Sequence, residues 1–235
     1  MKKILYSVAL AACCMGTMTS CSDFLDASNK SNVTAKQSFA TKEGLNNLVN
    51  NAYQHLQNVY AAPLFTSCFS AGTDMYADAR NKMNEALNTY ETLTPENTDI
   101  KNLYTYLYSG IRAANSVSYY AQTAQVDEKT KGQLVGEARV LAAYEYYLLV
   151  NNFGGVPIMK DFLTTTGTGY PKSSAADVYA YIISELEDVI GKNVLQASTA
   201  TKGGGRISQE TAKAILAKTY LSAAWDLNKQ EYFSK

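Results

Sequence analysis

His55 is the single histidine of this 235-residue chain and sits seven positions after Leu48, at the edge of an apolar stripe. Proton transfer and metal ligation are its natural chemistry, but no cysteine stands at ligand spacing from it, so a packed or surface histidine is the reading favoured. Asp74 and Asp78 lie four apart in a polar stretch with Glu85 beyond. Carboxylates so placed raise a hydrolase pair or a calcium site, yet neither the calcium-loop pattern nor any fixed separation is present. "GGGRIS", residues 203–208, precedes a helical pattern as a phosphate cradle would, but lacks the Lys-Ser/Thr ending and reads as a flexible turn. Ser67 and Ser70 flank Cys68 with no histidine in the local sequence, and a thiol among apolar residues is inert. The expectation is therefore no catalytic residue, no metal site and no cofactor.

The elements that would carry any other chemistry begin after a processing segment. Lys2 and Lys3, the apolar run Ile4 to Met15 and the small or polar residues Gly16 to Ser20 have the layout of a secretory signal, too short to span a bilayer. Cys21 follows directly, where lipoprotein processing acylates a cysteine and leaves it as the new N-terminus. "LAAC", residues 10–13, is a rival, but cutting there leaves an apolar core of only about six residues, below the usual 7 to 15. The predicted division is a signal over 1–20, a lipid-anchored tether over 21–40, rich in Ser, Asn, Thr and Lys, and a domain over 41–235. With Cys13 and Cys14 removed and Cys21 acylated, Cys68 has no partner for a disulfide, so stability must come from the core. At 46% hydrophobic residues that core is substantial. Net charge is zero, which argues against nucleic acid and against attachment to a membrane by charge alone. Eighteen tyrosines stand against one tryptophan; they suit sugar stacking, and equally the seams between packed helices.

Helical periodicity dominates the domain. Leu45, Leu48, Val49, Ala52, Leu56 and Val59 form one stripe, limited by Pro63. Residues 71–97 are polar and read mostly as loop. Helices are predicted over 98–124 and 127–152, the second apolar nearly all round and therefore buried on several sides. Gly154, Gly155 and Pro157 stop it, and a loop runs to about Ser173. Ser173 or Ser174 caps the next helix, and another spans 208–224, where Ala214 and Ala217 are expected to allow close packing. Leu148 and Ile215 are expected to be buried. No convincing run of strands occurs, so the class is all-α, helical hairpins in series.

"GEARVLAAYEYYLLVNNFGGVPI", residues 136–158, and "GRISQETAKAILAKTYLSAA", residues 205–224, resemble the two hallmark segments of the SusD-like (RagB/SusD) family of surface glycan-binding lipoproteins. "SSAADVYAYIISELEDVI", residues 173–190, resembles the helix between them, "YSGIRAANSV", residues 108–117, an earlier one, and "CSDFLD", residues 21–26, the lipidated start. The resemblance implies tetratricopeptide-like hairpins with long ligand-facing loops, an anchor on the exterior of the outer membrane, an oligosaccharide ligand that is not cleaved, and a TonB-dependent transporter (SusC-like) as partner. Family members are longer, and this chain stops at "NKQEYFSK"; a shortened C-terminal side is the expectation, as a fragment or a truncated gene product. By order along the chain, residues 72–88 resemble the loop that faces the glycan in the starch-binding member. Tyr76, Arg80, Asn81 and Asn84 there supply a stacking face and planar polar groups. The starch binder's tryptophans are missing from this loop. That leaves a second class open: a helical-repeat protein that docks a transporter or binds peptides without a sugar site of its own.

Overall fold

The computed structural model describes residues 34–61, 63–76, 85–165, 167–198 and 205–235. The helices are α1 (Ala35–Ser38), α2 (Lys42–Tyr60), α3 (Leu64–Phe69), α4 (Glu85–Thr89), α5 (Thr98–Ala121), α6 (Glu128–Phe153), α7 (Ala175–Lys192) and α8 (Gln209–Asp226), with a closing 3₁₀ turn at Gln230–Ser234. Among the described residues there is no strand beyond an isolated bridge between Thr73 and Tyr76. The signal and most of the tether, Cys21 included, lie outside the described residues.

Each long helix starts at a side chain that satisfies an otherwise orphaned amide. Thr41 accepts from the Gly44 amide, Asn97 from those of Asp99 and Ile100, Asp127 from that of Thr130, and Ser208 from that of Thr211. Of the two serines expected to cap α7, Ser174 does so, in a capping box with Asp177. Gly154 ends α6 with φ +69°, a conformation that costs a side-chain-bearing residue and that glycine adopts freely. α3 and α4 are short helices next to and within the stretch read as loop; α3 follows Pro63, whose missing amide costs nothing at a helix start.

The long helices stack in chain order, α2 on α5, α5 on α6, α6 on α7 and α7 on α8, with α2 also reaching α6. Leu45, Val49, Leu107, Ile111, Leu141, Leu149, Ile182 and Leu186 are fully buried in one continuous core. α6 is covered on several sides, as its sequence predicts; Leu148 and Ile215 are buried. Ala214 and Ala217 do not provide the close packing expected of them. Both face outward, and α8, packed on α7, turns Ala212, Ile215 and Thr219 to the core instead; its apolar stripe in sequence is too weak to announce that face. α5 and α6 approach through Gly110, where an added Cβ would stand 1.7 Å from Oε1 of Glu145. That carboxyl is fully buried with neither oxygen hydrogen-bonded among the described residues, and burial lifts its pKa well above the carboxylate range.

Candidate functional site

Two loops on this scaffold combine aromatic faces with polar groups. The first follows α3. The Ser70 and Ala71 amides both donate to the Thr66 carbonyl, and the Thr73 hydroxyl donates to the Ser70 carbonyl at 2.7 Å. Gly72 has φ +75° and lies against Tyr90, whose hydroxyl an added Cβ would meet at 2.2 Å. Tyr76 is bridged to Thr73 and 39% exposed, so its ring is available at the surface. Arg80, Asn81 and Asn84 lie outside the described residues, as does Asp78. Beneath this loop a cavity of about 300 Å³ is lined by Cys68, Leu87, Tyr90, Asn151 and Phe153. Burial, followed by the charge of Asp99, pushes the Cys68 thiol up to about 11, which keeps it protonated and unreactive.

Beside the loop lies an aromatic surface that sequence reasoning missed. Tyr60, at the end of α2, packs on Phe65 at 5.4 Å and is near parallel to Phe69 at 6.5 Å between ring centroids. Tyr60 and Phe65 are exposed, and the Tyr60 hydroxyl is hydrogen-bonded to that of Tyr144. The available signal was an aromatic residue ending an apolar stripe just before Pro63, with two phenylalanines four apart after it.

The second loop, residues 157–163, crosses α5 and α6 as a strap. Tyr108 donates its hydroxyl to the Pro157 carbonyl at 2.7 Å, Asn115 donates to the Met159 carbonyl at 2.8 Å, and the Met159 amide donates to the Tyr146 hydroxyl at 2.6 Å. Three side chains thus satisfy backbone groups that the irregular strap cannot pair within itself. On one side a groove of about 450 Å³ contains Lys160, Arg139, Tyr181 and Glu185; on the other a cavity of about 180 Å³ contains Arg112, Asp161 and Tyr170. The Arg112 guanidinium lies 5.3 Å from the centroid of Phe162, which also packs on Tyr119.

Two arginines tie the helices together through ion pairs. Arg139 reaches Glu185 at 2.6 Å and Asp188 at 2.5 Å, joining α6 to α7. Arg206 reaches Glu137 at 2.6 Å and contacts Asn50 and Asn46, joining the segment before α8 to α6 and α2. Tyr53 donates to Glu137 at 3.3 Å and accepts from the Ile207 amide at 2.8 Å, and burial pushes its hydroxyl up to about 12. Arg206 therefore closes a structural joint, where "GGGRIS" read as a flexible turn. His55 is half-buried with Nδ1 enclosed and unpartnered among the described residues, and burial lowers its pKa, which fits the packed reading. Among the described residues no cluster of His, Cys, Asp or Glu is placed to hold a metal, and no helix is long and apolar enough to cross a membrane.

Residues 23–221 match the SusD-like family described as starch-binding and associating with the outer membrane. This chain belongs to that family. A SusD-like protein, P38, from Formosa agariphila is 27% identical over 179 residues, 74% of this chain and 34% of the relative; a SusD-like protein of Bacteroides ovatus is 27% identical over 57% of this chain and 24% of its own length. Among solved structures, surface glycan-binding protein A from Bacteroides uniformis superposes with TM-score 0.66 at 26% identity, covering 80% of this chain and 44% of that one. A laminarin-binding SusD-like protein superposes with TM-score 0.68 at 22% identity, covering 81% and 42%, a likeness of fold. The chain thus spans a quarter to under half of the relatives it matches.

As a SusD-like chain, it places its two hallmark segments in contact: Glu137 stands in the first and Arg206 in the second. Of the four residues picked from sequence for the ligand, only Tyr76 is described, and it is exposed. The strap residues were read only as part of a loop, because the bonds that shape it come from distant helices.

Proposed function

We propose that this chain captures oligosaccharides at the outer surface of an outer membrane, without cleaving them, and passes them to a TonB-dependent transporter of the SusC-like kind. The observation that carries this reading is a helical scaffold with exposed aromatic side chains and polar loops, in a family associated with the outer membrane and with glycan-binding relatives. Tyr76 with Arg80, Asn81 and Asn84 forms part of the site, and Tyr60 and Phe65 offer the flat faces that the loop's missing tryptophans would otherwise supply. Water competes for every hydroxyl, so affinity is expected in the micromolar to millimolar range. A lipid on Cys21 offsets that weakness by holding the protein beside the transporter at high effective concentration.

Titration calorimetry of the full chain against laminari-, malto- and xylo-oligosaccharides tests the proposal. Binding should be weakened by Tyr76→Ala and by Arg80→Ala, and the sugar should stay intact over hours. Reducing ends accumulating with time would refute capture without turnover. The absence of tryptophan from residues 72–88 supports a second reading, docking of a transporter or binding of peptides without a sugar site. A peptide pool titrated in parallel separates the two.

A further inference from the structure

We propose that the cavity between α5 and the strap is a second sugar subsite, taking one neutral pyranose unit of a longer glycan; the inference rests on the glycan-capture reading. At about 180 Å³ the cavity is smaller than the roughly 300 to 1,000 Å³ typical for drug-sized ligands, so it has room for a single ring. The Tyr108 hydroxyl and Asn115 Nδ2 that border it already donate to the strap backbone. Arg112 and Asp161 are the charged groups of the lining, and neither has an ion-pair or hydrogen-bond partner among the described residues, the other included. One group only donates and the other only accepts. A sugar hydroxyl does both, so vicinal hydroxyls accept from the guanidinium and donate to the carboxylate together. Ile111, Met159 and Leu163 give the wall apolar area beside the Thr165 side chain, and Tyr170 stands at the cavity with 42% of its surface exposed, a face for the C–H side of a pyranose.

Two features hold these groups in place before any ligand arrives. The strap is pinned at Pro157 and Met159, just ahead of Asp161. Arg112 is stacked over Phe162, and the Tyr170 hydroxyl rests so close to Gly167 that an added Cβ there would meet it at 2.1 Å. Side chains already fixed lose less entropy on binding, which matters most for a weak ligand.

The test uses the full chain with laminarihexaose, maltohexaose, xylohexaose and mannohexaose, and triglycine as a zwitterionic probe for the same charge pair. At least one hexasaccharide should bind, and Asp161→Asn and Tyr170→Ala should each weaken it about threefold to tenfold at unchanged melting temperature, the loss of one stacked or hydrogen-bonded contact. Gly167→Ala, which displaces the Tyr170 ring, should weaken it in the same direction. If a hexasaccharide binds but all three variants keep full affinity while Tyr76→Ala loses it, the subsite is overturned and glycan capture stands. If no hexasaccharide binds the unaltered chain, both readings fall. Triglycine binding that is lost in Asp161→Asn, with no sugar bound, assigns the pair to a zwitterion and overturns the proposal.

Discussion

The carboxylate of Glu137 on α6 meets the guanidinium of Arg206, just ahead of α8, at 2.6 Å, with the Glu137 side chain 1% exposed and that of Arg206 25%. An acid buried this fully is tolerable only while its charge is balanced, and Tyr53 and Gln133 complete its hydrogen bonding. Arg206→Ala should cost about 3 to 5 kcal/mol in denaturant unfolding by leaving that charge uncompensated. Replacing both residues with methionine should cost less than the Arg206 change alone. A double variant as damaging as the sum of the single ones would show that the pair does not act as a unit.

Gly110 and Glu145 occupy one space. Gly110→Ala puts a Cβ 1.7 Å from Oε1 of Glu145, and an overpacked helix contact of this kind should cost about 1 to 3 kcal/mol. In a Glu145→Ala background the same change should be better tolerated, with a coupling of at least about 0.5 kcal/mol. Equal cost in both backgrounds would mean that another atom resists the new methyl.

Glu145 also makes stability depend on pH. Its folded pKa lies above its unfolded value because burial disfavours the charge, so the folded state binds the extra proton. Stability from this group is fully present below the unfolded value of about 4.3 and is lost as pH rises through the folded one. The slope approaches about 1.4 kcal/mol per pH unit in that window. Glu145→Gln cannot ionise, so its unfolding free energy should fall less between pH 5 and pH 8 than that of the unaltered protein. Parallel profiles for the two would place the titration elsewhere.

Cys21 is expected to carry the lipid. Growth with a fatty-acid analogue should label the protein, and Cys21→Ala should abolish the label and release the protein from the membrane fraction. Persistent labelling in that variant would move the anchor to another residue.

Helix positions were legible in the sequence because the information is local. An apolar residue every three or four positions, an oxygen-bearing cap such as Thr41, Asp127 or Ser208, and a stop such as Gly154 act within one or two turns. α8 marks the limit of that reading: its residues alternate without a strong stripe, and only packing on α7 decided that Thr219 faces inward while Ala214 and Ala217 face out. Tyr76 was legible as a surface aromatic in a polar loop. The standing of Arg112, Asp161 and Tyr170 was not, since nothing near them in sequence says that Tyr108, Asn115 and Tyr146 bind the strap and leave these groups unpaired. The same holds for Glu137 and Arg206. Each lies in a recognisable segment, yet their pairing depends on stacking α2, α6 and α8 so that a buried charge finds its partner, a long-range condition of desolvation that no local pattern records.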